Sequence, residues 1–402
     1  MRLSSLSFYT NSLAAMQLQS SSLVKLQNQV ALGRRVNTPA DDPIAAGHIL
    51  ELERAQSESA QFAKNSTLLR NRLNLEEQSL ADVGTILTRV RELTVRASNI
   101  GTLNDSDRQS IATELASRLT ELQDVANRRD GGGEYLFAGF STLTRPFTGG
   151  DQAPVSYVGD QGSRLLQISS TQRIADGHSG FDVFMNVPEG NGVFYTAGGA
   201  GNTGSGMIDV GAVVNRGLWL PDDYTITFTT ASDWEITDGA SPANVVATGT
   251  FTAGEPIEFN GVRVTLTGAP AAGDEFSVNR SRSKDIFSTI SEVIGALRAP
   301  ADSPAANTRL AMAMQGGLQQ LDQAGDHFLR VRAEVGARLS TIDSTDDSRA
   351  ALDVDLESAL SDLRDLDYAQ ALTRMNQLLV GLEAAQLSYS KISQLSLFNY
   401  LR

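Results

Sequence analysis

The chain has 402 residues, of which 41% are hydrophobic, and a formal net charge of −14. This length predicts two or three domains, the absence of any apolar run of about 18 residues predicts no membrane insertion, and the acidic balance argues against nucleic-acid binding. The chain contains no cysteine, which excludes disulfides, thiol catalysis and cysteine-based zinc sites.

The first predicted element is a helix that ends near residue 32. Its apolar residues recur at every seventh position, with two further leucines three residues ahead of the first two: Tyr9, Met16, Leu23 and Val30, preceded by Leu6 and Leu13. This spacing places them along one face of a helix, and such a face needs a partner. The sequence from Gly33 to Pro43 then breaks the helical pattern.

Asp42 is predicted to be the N-cap of the next helix, with Pro43 at its first position. Apolar residues again recur at sevens, which predicts a long helix over residues 44–99 and a second one to about residue 129.

The pattern changes at residue 131. Of the 35 glycines, 25 lie in residues 131–280, together with both tryptophans. Short strand-like runs occur between turn signals, at residues 134–140, 154–158, 164–168, 181–184, 224–229, 257–259, 262–266 and 275–278. These runs predict an antiparallel β domain inserted into a helical protein.

Helical periodicity returns over residues 286–297 and again over 305–343, followed by a predicted polar hinge at 341–347. The terminal stretch, residues 351–402, carries a narrow stripe of one helix face: Leu372, Met375, Leu379, Leu382, Gln386 and Tyr389. We interpret both terminal stripes as assembly surfaces that pair with each other and with neighbouring copies.

The predicted fold class is therefore α+β and multidomain. Long antiparallel heptad helices from both chain ends form a rod, and the β domain is inserted between them. The predicted domains are terminal helices at 1–42 and 351–402, a helical rod domain with a β-hairpin at 43–185 and 281–350, and a β domain at 186–280. Half-filled terminal stripes are expected to leave the ends disordered or partly ordered in the monomer.

No catalytic, cofactor-binding or metal-binding residue is predicted. The three histidines, His48, His178 and His327, are far apart in sequence and form no zinc-peptidase motif. Residues 199–204 match G-x-G-x-x-G, but no helical pattern follows, so a loop is expected there.

Four motifs resemble the flagellin superfamily, and its hook-associated protein 3 branch more closely than flagellin itself. They are VNTPADDPIAA at 36–46, DGGGEYLFAG at 130–139, RAEVGAR at 332–338 and LRDLDYA at 363–369. The first is similar to the family's junction between terminal and rod helices, which singles out Asn37, Pro39, Asp41, Asp42 and Pro43. The second resembles a strand that marks this branch.

The resemblance implies a structural adaptor between the ring of hook-associated protein 1 and the flagellin filament. It also implies self-assembly into a ring, export in the unfolded state without a cleaved signal, an extracellular location, and a cytoplasmic chaperone on the C-terminal helix. A flagellin subunit is the nearest alternative. A glycan-binding adhesin, using Trp219 or Trp234 of the β domain, is a further alternative.

Overall fold

The computed structural model describes residues 5–99, 103–150 and 153–394. Within these ranges the helices are α1 (Ser5–Leu32), α2 (Pro43–Ala97), α3 (Asp105–Ala126), α4 (Ile286–Arg298), α5 (Pro304–Arg364) and α6 (Tyr368–Gln394). The chain forms two compact units: a terminal unit, Met1–Lys64 with Ser344–Arg402, and a central unit, Asn65–Asp343. No helix in the described part is long and apolar enough to span a membrane.

Local chemistry sets the start of α2 as predicted. The backbone N–H of Ala45 donates to the Asp42 carboxylate over 3.0 Å, and Pro43 is the first helical residue. Gly33, at a φ of 68°, follows the last turn of α1. The predicted break between the first two helices and the predicted N-cap are therefore confirmed.

The central unit has a continuous core between α2, α3, α4 and α5. Apolar residues of α2 at heptad spacing, among them Leu69, Leu73 and Val90, are fully buried in it. Beside them lies a cluster of aromatic rings from five separate segments: Phe137, Phe147, Phe184, Phe287 and Phe328. The central unit thus has a filled interior.

Two predicted strands of the central unit are wrong. Residues 134–140 form turns with one isolated bridge, between Arg129 and Tyr135, and Phe181–Met185 is a π-helical turn. Both segments are rich in aromatic residues, as strands are. Here the aromatic side chains of Phe137 and Phe184 enter the core from irregular backbone.

Short strands fill the chain between α3 and α4. Their bounds are β1 Phe147–Gly150, β2 Ala153–Tyr157, β3 Leu165–Gln167, β4 Arg173–Ala175, β5 Val187–Pro188, β6 Phe194–Gly198, β7 Met207–Ile208, β8 Ala212–Val213, β9 Tyr224–Phe228, β10 Asp233–Thr237, β11 Val245–Thr250, β12 Pro256–Phe259, β13 Val262–Thr267, β14 Glu275–Arg280 and β15 Ser283–Lys284. All their recorded pairings are antiparallel.

The inserted β domain contains a five-stranded sheet in the order β11-β10-β9-β14-β6 and a smaller sheet around β13. Its core alternates along the strands, so Tyr224, Ile226 and Phe228 point inward on β9. The predicted fold class, long terminal helices with an inserted antiparallel β domain, is confirmed.

The predicted hinge at 341–347 is wrong, because α5 continues without a break from Pro304 to Arg364. The polar residues of the segment lie mostly on the outer face, while Ile342 and Leu360 keep the inner face buried. The chain bends later, where the Asp367 carboxylate accepts the N–H groups of Ala369 and Gln370. The last helix therefore begins at Tyr368, within the LRDLDYA motif at 363–369.

Candidate assembly surface

Helices α1 and α6 of the terminal unit pack against each other in antiparallel orientation. The ring of Tyr9 lies edge-on to that of Tyr389, with centroids 5.7 Å apart. Further along the pair, the Gln19 side-chain amide is 3.4 Å from the carbonyl oxygen of Leu378. Early residues of one helix thus meet late residues of the other.

The packed face has heptad spacing on both helices. On α1 the buried and half-buried residues of this face are Tyr9, Ser12, Met16, Gln19, Leu23, Leu26 and Val30. On α6 they are Ala371, Met375, Leu378, Leu382, Ala385 and Tyr389. The spacing alternates between three and four residues throughout, which is the pattern of a two-helix coiled coil.

The predicted stripes only partly coincide with this face. From the predicted set, Tyr9, Met16, Leu23, Val30, Met375, Leu382 and Tyr389 lie on it. Leu13, Leu372 and Leu379 do not, with 50%, 43% and 37% of their surface exposed. The side chain of Leu6 lies outside the described residues.

The exposed leucines nevertheless share one side of the helix pair. Leu13 follows Ser12 of the packed face, as Leu372 follows Ala371 and Leu379 follows Leu378, so each lies about 100° around its helix from a packed residue, in the same rotational sense. Two antiparallel helices bring such positions to the same side of the pair.

Val24 is 52% exposed, and its position on α1 places it on that same side. We call Leu13, Val24, Leu372 and Leu379 the exposed stripe. The opposite side carries two exposed leucines, Leu18 and Leu32, among mainly polar residues such as Ser22 and Gln377. The pair is therefore more apolar on one of its sides than on the other.

Charge is nearly absent from these helices. Helix α1 carries one charged residue, Lys25, and α6 carries Arg374, Glu383 and Lys391. The inserted β domain contrasts with them, since residues 186–280 contain eleven acids and three arginines. A surface with few charges loses little hydration when another protein covers it.

The connector at residues 33–42 and the turn between α5 and α6 are joined by backbone hydrogen bonds. The N–H of Arg35 donates to the carbonyl of Arg364 over 2.7 Å, and the N–H of Leu366 donates to that of Gly33 over 3.0 Å. The Arg35 guanidinium also donates to the Leu363 carbonyl. The connector that follows α1 and the turn that precedes α6 are thus held together by one small hydrogen-bond network.

Asp41 organises the connector itself. Its carboxylate accepts the N–H groups of Asn37 and Thr38 over 3.1 and 2.9 Å, and it forms an ion pair with Lys25 of α1 over 2.7 Å. The hydrogen bond from Lys25 and that from the Thr38 N–H hold the pKa of Asp41 well below its ordinary value. Pro39 lies exposed within this turn.

Sequence reasoning missed several residues of the surface. Leu26 and Leu378 are packed, yet they fall outside the predicted stripes, because the other positions of their heptad series hold Ser12, Gln19, Ala371 and Ala385. Small and polar residues give no apolar signal. Alternate spacings of three and four, tested in every register, were the sign that could have found them.

Family models match both ends and the middle of the chain. The bacterial flagellin N-terminal helical region matches residues 3–142, and the bacterial flagellin C-terminal helical region matches residues 318–401. A third model, the D2-like domain of flagellar hook-associated protein 1, matches residues 200–280. Its range lies within the inserted β domain.

The solved structure of FlgL from Xanthomonas campestris is 33% identical, with a TM-score of 0.72, and the similarity covers 77% of this chain and 99% of that one. The chain belongs to the FlgL, or hook-associated protein 3, family. The predicted resemblance to this branch is confirmed.

Two further relatives agree. Flagellar hook-associated protein 3 of Salmonella typhimurium is 36% identical over 187 residues, 46% of this chain and 58% of that protein. The flagellar junction protein FlgL from Legionella pneumophila is 28% identical, with a TM-score of 0.70, covering 79% of this chain and all of that one. The chain thus spans little more than half of the Salmonella relative but the whole of both solved structures.

Proposed function

We propose that this protein is a structural adaptor of the bacterial flagellum, located where the hook meets the filament. Copies of the chain form a ring, and they contact one another through the exposed stripe of the terminal helix pair. Membership of the hook-associated protein 3 family supports the location. The stripe supports the mode of assembly, and it is the observation that carries the proposal.

The stripe is suited to association after folding. Burying a leucine or valine side chain contributes about 1.5–3 kcal/mol, so four such residues per copy supply a substantial driving force when neighbours cover them. The packed face between α1 and α6 contains Ser12, Gln19 and two alanines, and it is correspondingly weak. Contacts with neighbours would complete this thin interface.

Charge favours the same surface for contacts between copies. A chain of net charge −14 repels its own copies, and the repulsion is strongest between acidic regions such as residues 186–280. Helices α1 and α6, with four charged residues between them, are a region where two copies can approach without that cost. We therefore infer that the terminal pair, rather than the β domain, is the primary contact.

The partners in this proposal are hook-associated protein 1 on the hook side and flagellin on the filament side. The similarity of both chain ends to flagellin helical regions supports packing in one continuous helical layer. Before assembly, a cytoplasmic export chaperone would cover α6, where Leu372, Leu379, Val380 and Leu387 are exposed. Export would occur with the chain unfolded, and the role is not enzymatic.

The alternatives differ in what loss of the protein does. A flagellin subunit would be needed for the filament itself, and an adhesin would be dispensable for motility. The tryptophans do not favour an adhesin, since Trp219 packs between Phe194 and Tyr224, and Trp234 lies over Gly249. Both rings pack against the core of the inserted β domain.

Deletion of the gene tests the proposal. We expect hooks of normal length without filaments, and monomeric flagellin in the medium, because the filament has no base on which to grow. Reintroducing the gene should restore filaments. Normal filaments in the deletion strain would refute the junction role, and loss of flagellin from both cell and medium would point to the flagellin alternative.

A further inference from the structure

His178 lies in the central unit, in the loop between β4 and the π-helical turn. Its side chain is 10% exposed. Glu76 faces it from α2, and Glu334 and Arg338 face it from α5. Two positions before His178, Asp176 pairs with Arg72 of α2 and with Arg164, the residue before β3.

The first ring nitrogen has one partner. Nδ1 lies 2.8 Å from Oε1 of Glu76, and this oxygen also accepts the backbone N–H of His178 over 3.1 Å. The Glu76 side chain is 2% exposed, and an ionised carboxylate can only accept hydrogen bonds. Nδ1 therefore carries a proton whether the ring is neutral or charged.

The second ring nitrogen has two partners that exclude each other. Nε2 lies 2.8 Å from a guanidinium nitrogen of Arg338 and 3.1 Å from Oε2 of Glu334. Arginine only donates, so its bond requires a bare Nε2, whereas the carboxylate only accepts, so its bond requires a protonated Nε2. One protonation state satisfies Arg338 and the other satisfies Glu334.

We propose that His178 is a proton-controlled connection that stays bound to α5 in both protonation states by exchanging Arg338 for Glu334. In the neutral state Nε2 accepts from Arg338, and in the charged state it donates to Glu334. Since these two residues are four positions apart on one helix face, either can reach the ring. The segment before the π-helical turn thus remains attached to α5 whether His178 is neutral or charged.

The surroundings of His178 favour its charged form. Burial disfavours the charged ring, but the hydrogen bond and the charge of Glu76 outweigh it, so the pKa of His178 is raised above its ordinary value. Arg338 opposes the charged form, and Glu334 supports it. The ion pair with Glu76 therefore stabilises the fold below the ordinary histidine pKa, and this stabilisation is lost as the pH rises through the raised value.

Removing one partner should make the connection depend on pH. Arg338→Met should raise the pKa of His178 and speed hydrogen exchange of residues 177–180 at every pH, because Arg338 also donates to the Gly177 carbonyl over 3.4 Å. The acceleration should be about tenfold larger on the alkaline side, because there the neutral ring has also lost its donor. Glu334→Ala should lower the pKa and speed exchange by a similar factor on the acidic side only. In the double variant, hydrogen exchange of residues 177–180 should be faster on both sides of the titration.

Imidazole nitrogen NMR on the whole chain, which has three histidines, measures the exchange of partners directly. We expect neutral His178 to carry its proton on Nδ1. A neutral ring protonated on Nε2 would overturn the proposal. So would single variants whose larger acceleration of exchange falls on the same side of the titration. The tautomer is read in the unaltered protein, so the test does not depend on the variants folding.

Discussion

The central unit and the terminal unit differ in how completely they bury their apolar residues. In the central unit, side chains of α2 such as Leu69, Leu80 and Val90 have no exposed surface. On α1 only Leu23 and Leu26 are below a tenth exposed among the described residues, while Leu13, Leu18 and others remain open to solvent. The same heptad spacing thus produces a closed core in one unit and a thin interface in the other.

Neighbouring elements explain the difference. In the central unit α2 is covered by other helices and by aromatic residues from the loops, so every turn of its apolar face has a partner. In the terminal unit α1 has α6 along its length, and small residues occupy much of their shared face. A two-helix pair of this kind is marginal alone, which suits a surface that other copies complete.

The largest expected effect is on the central core. Phe184 is fully buried, and its ring centroid lies 5.2–5.8 Å from those of Phe137, Phe147, Phe287 and Phe328. Phe184→Ala should lower the free energy of unfolding of the monomer by about 3–5 kcal/mol, because it leaves a cavity among four rings. Urea denaturation measures this, and Phe184→Leu should cost less. A loss below about 1 kcal/mol would contradict the closed-core description.

A substitution in the exposed stripe should weaken assembly strongly and the stability of the monomer only slightly. Leu379→Asp should lower the unfolding free energy of the monomer by only about 1 kcal/mol, since 37% of the leucine surface is already exposed. In the assembly it should remove the roughly 1 kcal/mol per contact that covering its exposed part contributes, plus the larger cost of burying a charge, and so abolish filaments. Monomer denaturation and electron microscopy of complemented deletion cells measure the two effects.

Leu18→Asp is the matched control, because it makes the same change at an exposed leucine on the other side of the pair. We expect it to support filaments better than Leu379→Asp. Equal loss in both variants would show that the side of the pair does not matter. Wild-type motility in Leu379→Asp cells would refute the stripe as an assembly surface.

Much of the architecture follows from the sequence because long heptads are strong signals. The helix predicted at 44–99 is observed as Pro43–Ala97, and the one predicted at 286–297 as Ile286–Arg298. Each has apolar residues on a fixed face and a clear start signal, such as Asp42 or Asp285. The inserted β domain was equally visible, since its glycines and turns mark it off from the helices.

The errors arose where local composition and tertiary packing disagree. Residues 181–184 have the composition of a strand. They form a π-helical turn instead, which places the Phe184 ring against Phe287 of α4 and Phe328 of α5. Residues 341–347 look like a hinge, yet exposed polar residues on one face do not interrupt a helix. At the terminal pair, leucines beside the packed face gave a stronger signal than the small residues within it.

A smaller effect concerns the start of α2. Asp42→Ala removes the side-chain acceptor of the Ala45 N–H and should lower the unfolding free energy by about 0.5–2 kcal/mol. Hydrogen exchange over residues 43–47 should accelerate with it, while Asp42→Asn, which keeps an acceptor, should stay close to wild type. Unchanged exchange in the alanine variant would mean that the cap does not hold the first turn.

The smallest effect concerns the pH dependence of the connector. Because Lys25 and the Thr38 N–H lower the pKa of Asp41 from its ordinary 3.8, its carboxylate stabilises the folded connector above that pH, and this contribution is lost as the pH falls toward the lowered pKa. Asp41→Asn should remove that acid-side change, whereas Asn in place of exposed Asp347 should keep it. Helix signals of α1, followed by NMR between about pH 6 and pH 3, measure the difference. Identical acid titrations in wild type and Asp41→Asn would show that the ion pair with Lys25 does not join α1 to its connector, and the terminal pair would then rely on its packed face alone.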